Sequence, residues 1–325
     1  MRHSRRRFLH LAASAALIPG PAYVANAQTY PSRPARIVVG FAAGGSNDII
    51  ARLIGQWLSE RLGQSFIIEN RPGAGTNIAT EAVVHAPPDG YALLLSNSAN
   101  AINASLYEKL RFDFLRDTAS VAGLVRQPLV MVVHPSVPAK TIPQFITYAK
   151  ANPNKITLAS AGNGSTPHLA GELFKTLTGI EMVHVPYRGA GPALTDLLGG
   201  QVQIYFAGMA GAIEYIRTGK LRAFGVTTAT RSESLPNIPA IDEFVPSYEA
   251  SGWFGISAPR KTPAEIVDRL NKEINAAFAD NAMRTRFTEL GGTALPGSPI
   301  DFGDLIADET EKWGKVIRAA GIKPE

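Results

Sequence analysis

Two adjacent glycines stand in the segment FAAGGSND, residues 41–48, directly after the apolar run at residues 37–39. A glycine pair at such a turn lets the backbone approach a bound group closely. If a helix begins after the turn, its free N–H groups and the positive end of its dipole favour an anion. The segment therefore predicts an anion site, and its residue types leave open whether the anion is a phosphate or a carboxylate.

A second glycine-bearing segment, SAGNGSTPHLAGELF, occupies residues 160–174. Thr166 and Pro167 are typical of the cap and first residue of a helix, and Ser165 or Thr166 could instead donate a hydroxyl group to a ligand. Gly162 and Gly164 match part of a dinucleotide fingerprint, without its third glycine or its acidic residue. No P-loop motif occurs in the chain, which excludes P-loop phosphate binding.

A third segment, VPYRGAGPALTDLLGGQV, occupies residues 185–202. Tyr187 can stack on a ligand or donate its hydroxyl group, and Gly189 frees the backbone before a helix. Arg188 could pair with a carboxylate, but we favour an exposed position at the rim, because most arginines stay exposed.

The residue pattern gives little support to catalysis or metal binding. Ser165 and His168 suggest a hydrolase, but Ser165 lies outside a G-x-S-x-G motif. A triad would also need an oxyanion hole and a carboxylate, and Asp48 and Asp196 are the aspartates considered for it. The histidines lack metal-ligand spacing, and the chain has no cysteine. We expect no catalytic residues, no metal and no cofactor.

Short apolar runs alternate with helical patterns, which predicts an α/β fold with parallel sheets flanked by helices. Strands are predicted at 35–41, 66–69, 91–95, 121–133, 156–159, 182–185, 202–206, 221–227 and 253–257. Helices are predicted at 47–62, 76–85, 142–151, 168–178, 191–198, 212–218, 263–279 and 300–320. Parallel sheets bind ligands beyond the carboxyl ends of their strands. The turns at 41–48, 96–100, 160–166, 187–192 and 207–211 should therefore form one cleft.

The first 27 residues have the three-part form of an export signal. Arginines precede an apolar stretch at 8–18, and Ala25-Asn26-Ala27 is a small-x-small cleavage site. The segment SRRRFL is typical of a twin-arginine signal, and an arginine-rich Sec signal is the alternative. Cleavage after Ala27 removes four of the 32 basic residues and no acid, leaving 28 basic and 27 acidic residues. We therefore expect a soluble, exported protein without affinity for nucleic acid.

Long segments resemble the receptors of tripartite tricarboxylate transporters, also called the Bug family. The segments are FAAGGSNDIIARLIGQWLSERLGQSFIIENRPGAGTNIA, PPDGYALLLSNSAN, ASAGNGSTPHLAGELF, VPYRGAGPALTDLLGGQVQIYFAG and SGWFGISAP. The likeness implies a periplasmic protein of the two-lobed, type II-like binding-protein fold, each lobe a mainly parallel sheet flanked by helices. Two crossover strands would join the lobes, one within 121–133 and one near 253–257. Lobe 1 would comprise 28–124 and 249–325, and lobe 2 would comprise 125–248.

The resemblance also implies a site and partners. Backbone N–H groups of the turns at 41–48 and 160–166 would hold a small organic carboxylate, and the partners would be membrane subunits of the transporter. Gly40 and Asn47 depart from the family's usual proline and threonine, so the identity of the carboxylate is not transferred. We expect a monomer. The residues expected to bind the ligand are Phe41, Ala43, Gly44, Gly45, Ser46, Asn47, Asp48, Ser96, Asn97, Ser160, Gly164, Ser165, Thr166, His168, Tyr187, Gly189 and Gly208.

Two other functions stay open on the sequence. One is a sensory protein that binds the same ligand and signals to a two-component system. The other is an α/β enzyme that acts on a carboxylate. Genes for large and small membrane subunits beside this one would favour transport, and a neighbouring two-component pair would favour sensing.

Overall fold

The computed structural model describes residues 30–107, 109–232, 234–320 and 322–323. The predicted export signal and its cleavage after Ala27 lie outside these ranges. Within them, no helix has both the length and the apolar character needed to cross a membrane.

Strands and helices alternate along most of the described chain. The strands are β1 (Ala35–Val39), β2 (Phe66–Asn70), β3 (Ala92–Asn97), β4 (Thr118–Val133), β5 (Thr157–Ser160), β6 (Val183–Pro186), β7 (Ile204–Gly208), β8 (Arg222–Val226), β9 (Ser251–Pro259) and β10 (Thr293–Ala294). The helices are α1 (Ser46–Leu62), α2 (Asn77–Val84), α3 (Ser98–Leu106), α4 (Phe114–Asp117), α5 (Ile142–Ala151), α6 (Thr166–Thr178), α7 (Ala190–Leu198), α8 (Met209–Arg217), α9 (Ala264–Ala279), α10 (Asn281–Glu289) and α11 (Pro299–Ala320).

The first sheet is built around β1, which lies between β2 and β3 with all three strands parallel. Strand β9 pairs antiparallel with β3 and with residues 118–128 of β4, and β10 pairs with β4 at Val125 and Arg126. Parallel pairing places the carboxyl ends of β1 and β3, and the helices that follow them, at one edge of the sheet.

The second sheet is built around β5, which lies between β6 and β7 with parallel pairing. Strands β7 and β8 pair antiparallel with residues 129–133 of β4. Strand β4 therefore belongs to both sheets along its 16 residues. This arrangement confirms the predicted two-lobed α/β fold class. The sheets are mixed rather than mainly parallel as predicted, because β4 and β9 run antiparallel to their neighbours.

Helix α1 shows why the predicted helices form. Ile50, Ile54 and Leu58 are spaced four residues apart, so they share one face of the helix. All three are fully buried in the hydrophobic core that packs against the first sheet. Full burial of each such side chain stabilises the fold by about 1.5–3 kcal/mol. The helix ends as predicted at Gly63, whose φ of 70° is the left-handed conformation that glycine adopts readily.

The sequence-based prediction missed three helices: the four-residue α4 and the longer helices α3 and α10. Helix α3 lies where we predicted a turn at 96–100, because its SANAINASL sequence has few large apolar residues. A capping box stabilises its start. The Asn97 side chain accepts from the backbone N–H of Asn100, and the Asn100 side chain accepts from the backbone N–H of Asn97. Helix α10 is mostly polar, and Met283 and Phe287 are its buried residues. Both longer helices are stabilised by tertiary packing rather than by a strong apolar pattern.

The start of α6 also differs from the prediction. Its N-cap is Ser165, whose Oγ accepts from the N–H of His168 at 3.4 Å, and not Thr166. Helix α8 begins three residues before the predicted residue 212, so residues 207–211 are the end of β7 and the start of α8 rather than a loop.

Candidate functional site

A small cavity lies between the two sheets, at the carboxyl ends of their strands. Its volume, counted as the space that the centres of water molecules can occupy, is about 50 Å³. This volume holds roughly four water molecules. Predicted binding residues that line it are Phe41, Ser46, Asn47, Asn97, Ser165, Thr166 and Gly208. The lining residues Ser98 and Ala190 lie in turns that were predicted to form the cleft, although they were not among the expected binding residues. The sequence analysis did not identify the lining residues Gln127, Tyr205, Trp253 and Phe254.

Within the described chain, five helices begin at this cavity. Each contributes its first residue or its N-cap to the wall, namely Ser46 of α1, Ser98 of α3, Thr166 of α6, Ala190 of α7 and Gly208 before α8. The N-terminus of a helix carries about half a positive charge and N–H groups without intrahelical partners. The cavity is therefore surrounded by positive dipole ends, which favour an anion.

The caps of these helices differ in a way that matters for a ligand. Asn97 and Ser165 cap α3 and α6 with their own side chains. The caps of α1, α7 and α8 are Gly45, Gly189 and Gly208, which bring no side-chain acceptor. The first-turn N–H groups of these three helices are therefore left for another acceptor, such as a carboxylate oxygen.

Charged side chains do not contribute to the wall. Among the described residues that line the cavity, none is an aspartate, glutamate, histidine, lysine or arginine. Tyr205 is fully buried, and burial raises the pKa of its hydroxyl group well above the usual value, so the group stays neutral. An anion in this cavity would thus be held by helix dipoles and neutral donors.

Four buried polar atoms on the lining residues have no hydrogen-bond partner in the described part of the chain. They are Ser46 Oγ, Gln127 Oε1, Tyr205 OH and Trp253 Nε1. A buried polar atom without a partner costs about 1–3 kcal/mol, so such atoms are uncommon in native proteins. Half of the eight such atoms among the described residues therefore lie on residues of one cavity, where a polar ligand could pair with them.

The glycine pair of the β1–α1 turn lies against the β6–α7 turn instead of lining the cavity. The Ala42 N–H donates to the Arg188 carbonyl oxygen at 3.0 Å. A Cβ atom on Gly45 would lie 2.7 Å from Ala190 Cβ, and one on Gly191 would lie 2.2 Å from the Ala43 carbonyl oxygen. The glycines here allow two turns from different sheets to touch, and Ala43, Gly44 and Gly45 belong to this contact.

Asp48 stabilises the same turn from inside. Its Oδ2 accepts from the Gly44 N–H at 3.1 Å and from Arg52 Nε at 2.9 Å. Burial disfavours the ionised carboxyl group, but the hydrogen bonds from Arg52 and Gly44 outweigh burial and hold the pKa of Asp48 below its usual value. Gly44 has a φ of 87°, which suits glycine in this turn.

Ser160, Gly164 and His168 lie behind the cavity wall at the start of α6. Ser160 Oγ is 2.6 Å from His184 Nε2, and the Gly164 N–H donates to His168 Nδ1 at 3.3 Å. The two imidazole rings stack with centroids 4.2 Å apart. These residues support the β5–α6 turn that carries Ser165 and Thr166.

The remaining predicted residues also lie outside the wall. Ser96 Oγ bonds Ser257 Oγ at 2.9 Å inside the first sheet. The Tyr187 hydroxyl group donates to Asp196 at 2.7 Å, and burial together with this bond raises its pKa to about 12. Gly189 precedes α7, where a Cβ atom would lie 2.7 Å from the Ala42 backbone nitrogen. Direct ligand contact by any predicted residue stays a prediction.

Two α/β sheets that share a strand, with a cavity between them ringed by helix N-termini, define a two-lobed binding protein. Residues 50–322 match the family described as the tripartite tricarboxylate transporter family receptor. The chain belongs to this family.

Individual relatives agree with this assignment. The chain is 37% identical to Protein BugT of Bordetella pertussis, over 94% of each chain. It superposes on R. palustris Rpa4515, solved with adipate, with a TM-score of 0.89 and 37% identity, covering 91% of this chain and 100% of that one. It superposes on the periplasmic binding protein BugD with a TM-score of 0.88 and 32% identity, covering 91% and 100%.

Proposed function

We propose that this chain is a periplasmic receptor that captures a small organic carboxylate in the cavity between its lobes. It would deliver the ligand to the membrane subunits of a tripartite tricarboxylate-type secondary transporter. The observation that carries the proposal is the convergence of five helix N-termini on one cavity whose described wall has no charged side chain.

The electrostatics favour a carboxylate over a phosphate. Charge-assisted hydrogen bonds from N–H groups to a carboxylate are strong, and several uncapped N–H groups surround the cavity. A phosphate group carries more charge and is usually met by arginine or lysine, which the described wall does not offer. Rpa4515, which superposes on the chain, was solved with adipate, a dicarboxylate. The small cavity fits a ligand of a few carbon atoms.

Export through the twin-arginine pathway, cleavage after Ala27 and a monomeric state complete the proposal. Export and cleavage rest on the sequence pattern of the first 27 residues.

The direct test compares acids with their matched amides and esters. Purified mature chain is melted with carboxylates of two to six carbons and then with the corresponding amides. A ligand at a hundred times its Kd adds about 2.7 kcal/mol to the apparent stability, which is a shift of several degrees. We expect the shift with at least one acid and none with its amide. Calorimetric affinities that are equal for acid and amide would contradict the proposal.

A further inference from the structure

Gln127 lines the cavity, and its side-chain amide has a fixed orientation. Its Nε2 donates to the Leu290 carbonyl oxygen at 2.7 Å. Because a carbonyl oxygen accepts and cannot donate, this bond settles which end of the amide is nitrogen. The other end, Oε1, is buried without a partner among the described residues, and Gln127 is 1% exposed.

Ser46 borders the same spot as this acceptor. The position that a Cβ atom would take on Gly208 lies 2.2 Å from Ser46 Oγ and 3.3 Å from Gln127 Oε1. Gly208 lines the cavity, and both oxygens lack partners in the described chain. One side of the cavity thus holds an amide acceptor beside a hydroxyl group that can donate or accept.

A carboxylate oxygen cannot satisfy Gln127 Oε1, because both groups only accept. A donor is therefore needed at this position, and a ligand can supply it. An ammonium group is disfavoured, since no described acidic side chain lines the cavity and five helix N-termini surround it. A hydroxyl group is neutral, donates one hydrogen bond and accepts others, which matches Gln127 together with Ser46.

We propose that the ligand is a hydroxylated carboxylate whose hydroxyl group donates to Gln127 Oε1 and contacts Ser46 Oγ. This inference rests on the proposed function, and it narrows the ligand class from carboxylates in general to hydroxy acids. A site that holds an unpaired acceptor discriminates against an analogue that lacks the matching donor.

The test uses pairs of acids that differ in one hydroxyl group: lactate and propionate, malate and succinate, 2-hydroxyglutarate and glutarate. Each is titrated calorimetrically into the mature chain. The cost of leaving one buried acceptor unpaired corresponds to roughly a tenfold to hundredfold loss of affinity. We expect that ratio in favour of the hydroxy acid in the pair that binds best.

The variant Gln127→Met removes Oε1 at a similar side-chain length. We expect it to bring the affinity ratio within that pair close to one. The matched control is Gln203→Met, because Gln203 is not a lining residue and its Oε1 accepts from Thr157. This control should keep the parent's ratio. The affinity ratio is measured only on variants that are shown to be folded. A loss of stability therefore cannot be mistaken for a loss of selectivity for the hydroxy acid.

The outcomes separate this inference from the proposed function. If acids bind the parent chain with a ratio near one in every pair, a resident water satisfies Gln127 and the inference fails, while the proposed function stands. A ratio that survives Gln127→Met also overturns the inference. If no acid of any pair binds, the proposed function itself fails, and the inference fails with it. Should Gln127→Met not fold, a ratio near one in the parent still overturns the inference.

Discussion

Buried tyrosines illustrate how a single residue can serve a ligand rather than the fold. Tyr205 and Tyr248 are both fully buried, and burial raises the pKa of both hydroxyl groups. The Tyr248 hydroxyl group donates to the Ala170 carbonyl oxygen at 2.9 Å. Tyr205 lines the cavity, and its hydroxyl group has no partner in the described residues. Tyr205 therefore contributes a hydroxyl group that the folded chain itself does not use.

We expect Tyr205→Phe to change stability and affinity in opposite directions. Removing an unpaired buried hydroxyl group should leave the free energy of unfolding unchanged or raise it by up to about 1 kcal/mol, while affinity for the best-binding acid falls about tenfold. The control Tyr248→Phe should lose about 1 kcal/mol of stability and keep its affinity. Urea unfolding and calorimetry measure the two quantities. A Tyr205→Phe variant that loses stability without losing affinity would show a purely structural tyrosine.

Asp48 should give the β1–α1 turn a pH-dependent stability. Its pKa in the folded chain is lowered, so its contribution is present above the unfolded value of about 3.9 and is lost as the pH falls further. Arg52 is largely exposed, which limits the contribution to about 1 kcal/mol. Asp48→Asn should be less stable than the parent at pH 7 by that amount, and the gap should close below about pH 4. Urea unfolding at pH 7 and pH 3 measures it, and an equal gap at both would refute this account.

At the scale of elements, the contact between the β1–α1 and β6–α7 turns joins the two sheets directly above the cavity. It consists of backbone groups and glycines, with the Ala42 to Arg188 hydrogen bond at its centre. Because α1 and α7 both begin at the cavity, the same contact positions two of the five helix N-termini. The contact between the turns therefore also holds the N-termini of α1 and α7 at the anion site.

Gly45→Ala should weaken binding without unfolding the chain. Gly45 has φ −95° and ψ 175°, which alanine adopts without strain, so the turn itself tolerates the change. The added methyl group would lie 2.7 Å from Ala190 Cβ and hold the two turns apart. We expect at least a tenfold loss of affinity, since the N–H groups of α1 and α7 no longer converge on one carboxylate.

The matched control for this variant is Gly199→Ala at the end of α7, where the nearest atom would be 3.6 Å away. It should bind like the parent. Thermal melts check folding, and solution scattering with and without ligand checks whether the lobes still close. If Gly45→Ala keeps full affinity, the contact between the turns has no part in binding.

At the scale of the whole molecule, β4 connects the two sheets. Its partner changes from β9 to β7 and β8 between Pro128 and Leu129. We propose lobes of residues 28–124 with 249–325 and of residues 125–248, and the change of partner, four residues beyond the first boundary, supports this division. Gln127 lies next to this junction, so a ligand bound to it would contact the chain where the two lobes join.

Export is the other property of the whole chain. We expect the double variant Arg5→Lys and Arg6→Lys to leave uncleaved precursor in the cytoplasm, because the twin-arginine pathway reads that pair. Cell fractionation with detection of precursor and mature chain measures it. The parent chain in a strain without the twin-arginine translocase is the matched control. Normal processing of the double variant would identify a Sec signal instead.

Periodicity predicted most of the architecture because the apolar patterns are local. Strands such as β1 and helices such as α1 and α5 lie within two residues of their predicted bounds. The pattern failed at α3 and α10, whose own sequences are weakly apolar and whose stability comes from neighbours. Glycines marked the turns correctly, because a positive φ or a close approach leaves a clear sequence signal.

The role of each turn residue was decided by the tertiary structure. The residues following β1 predict a turn and a helix, but the local sequence does not indicate whether Gly45 faces a ligand or Ala190. Gln127 and Tyr205 lie inside apolar strands, and a polar residue within the run at 121–133 is the signal that could have found Gln127. Their unpartnered atoms are recognisable only when elements distant in the chain meet around one cavity. Local patterns therefore determine which elements form and where helices begin, whereas hydrogen-bond satisfaction depends on contacts between them and so decides the site.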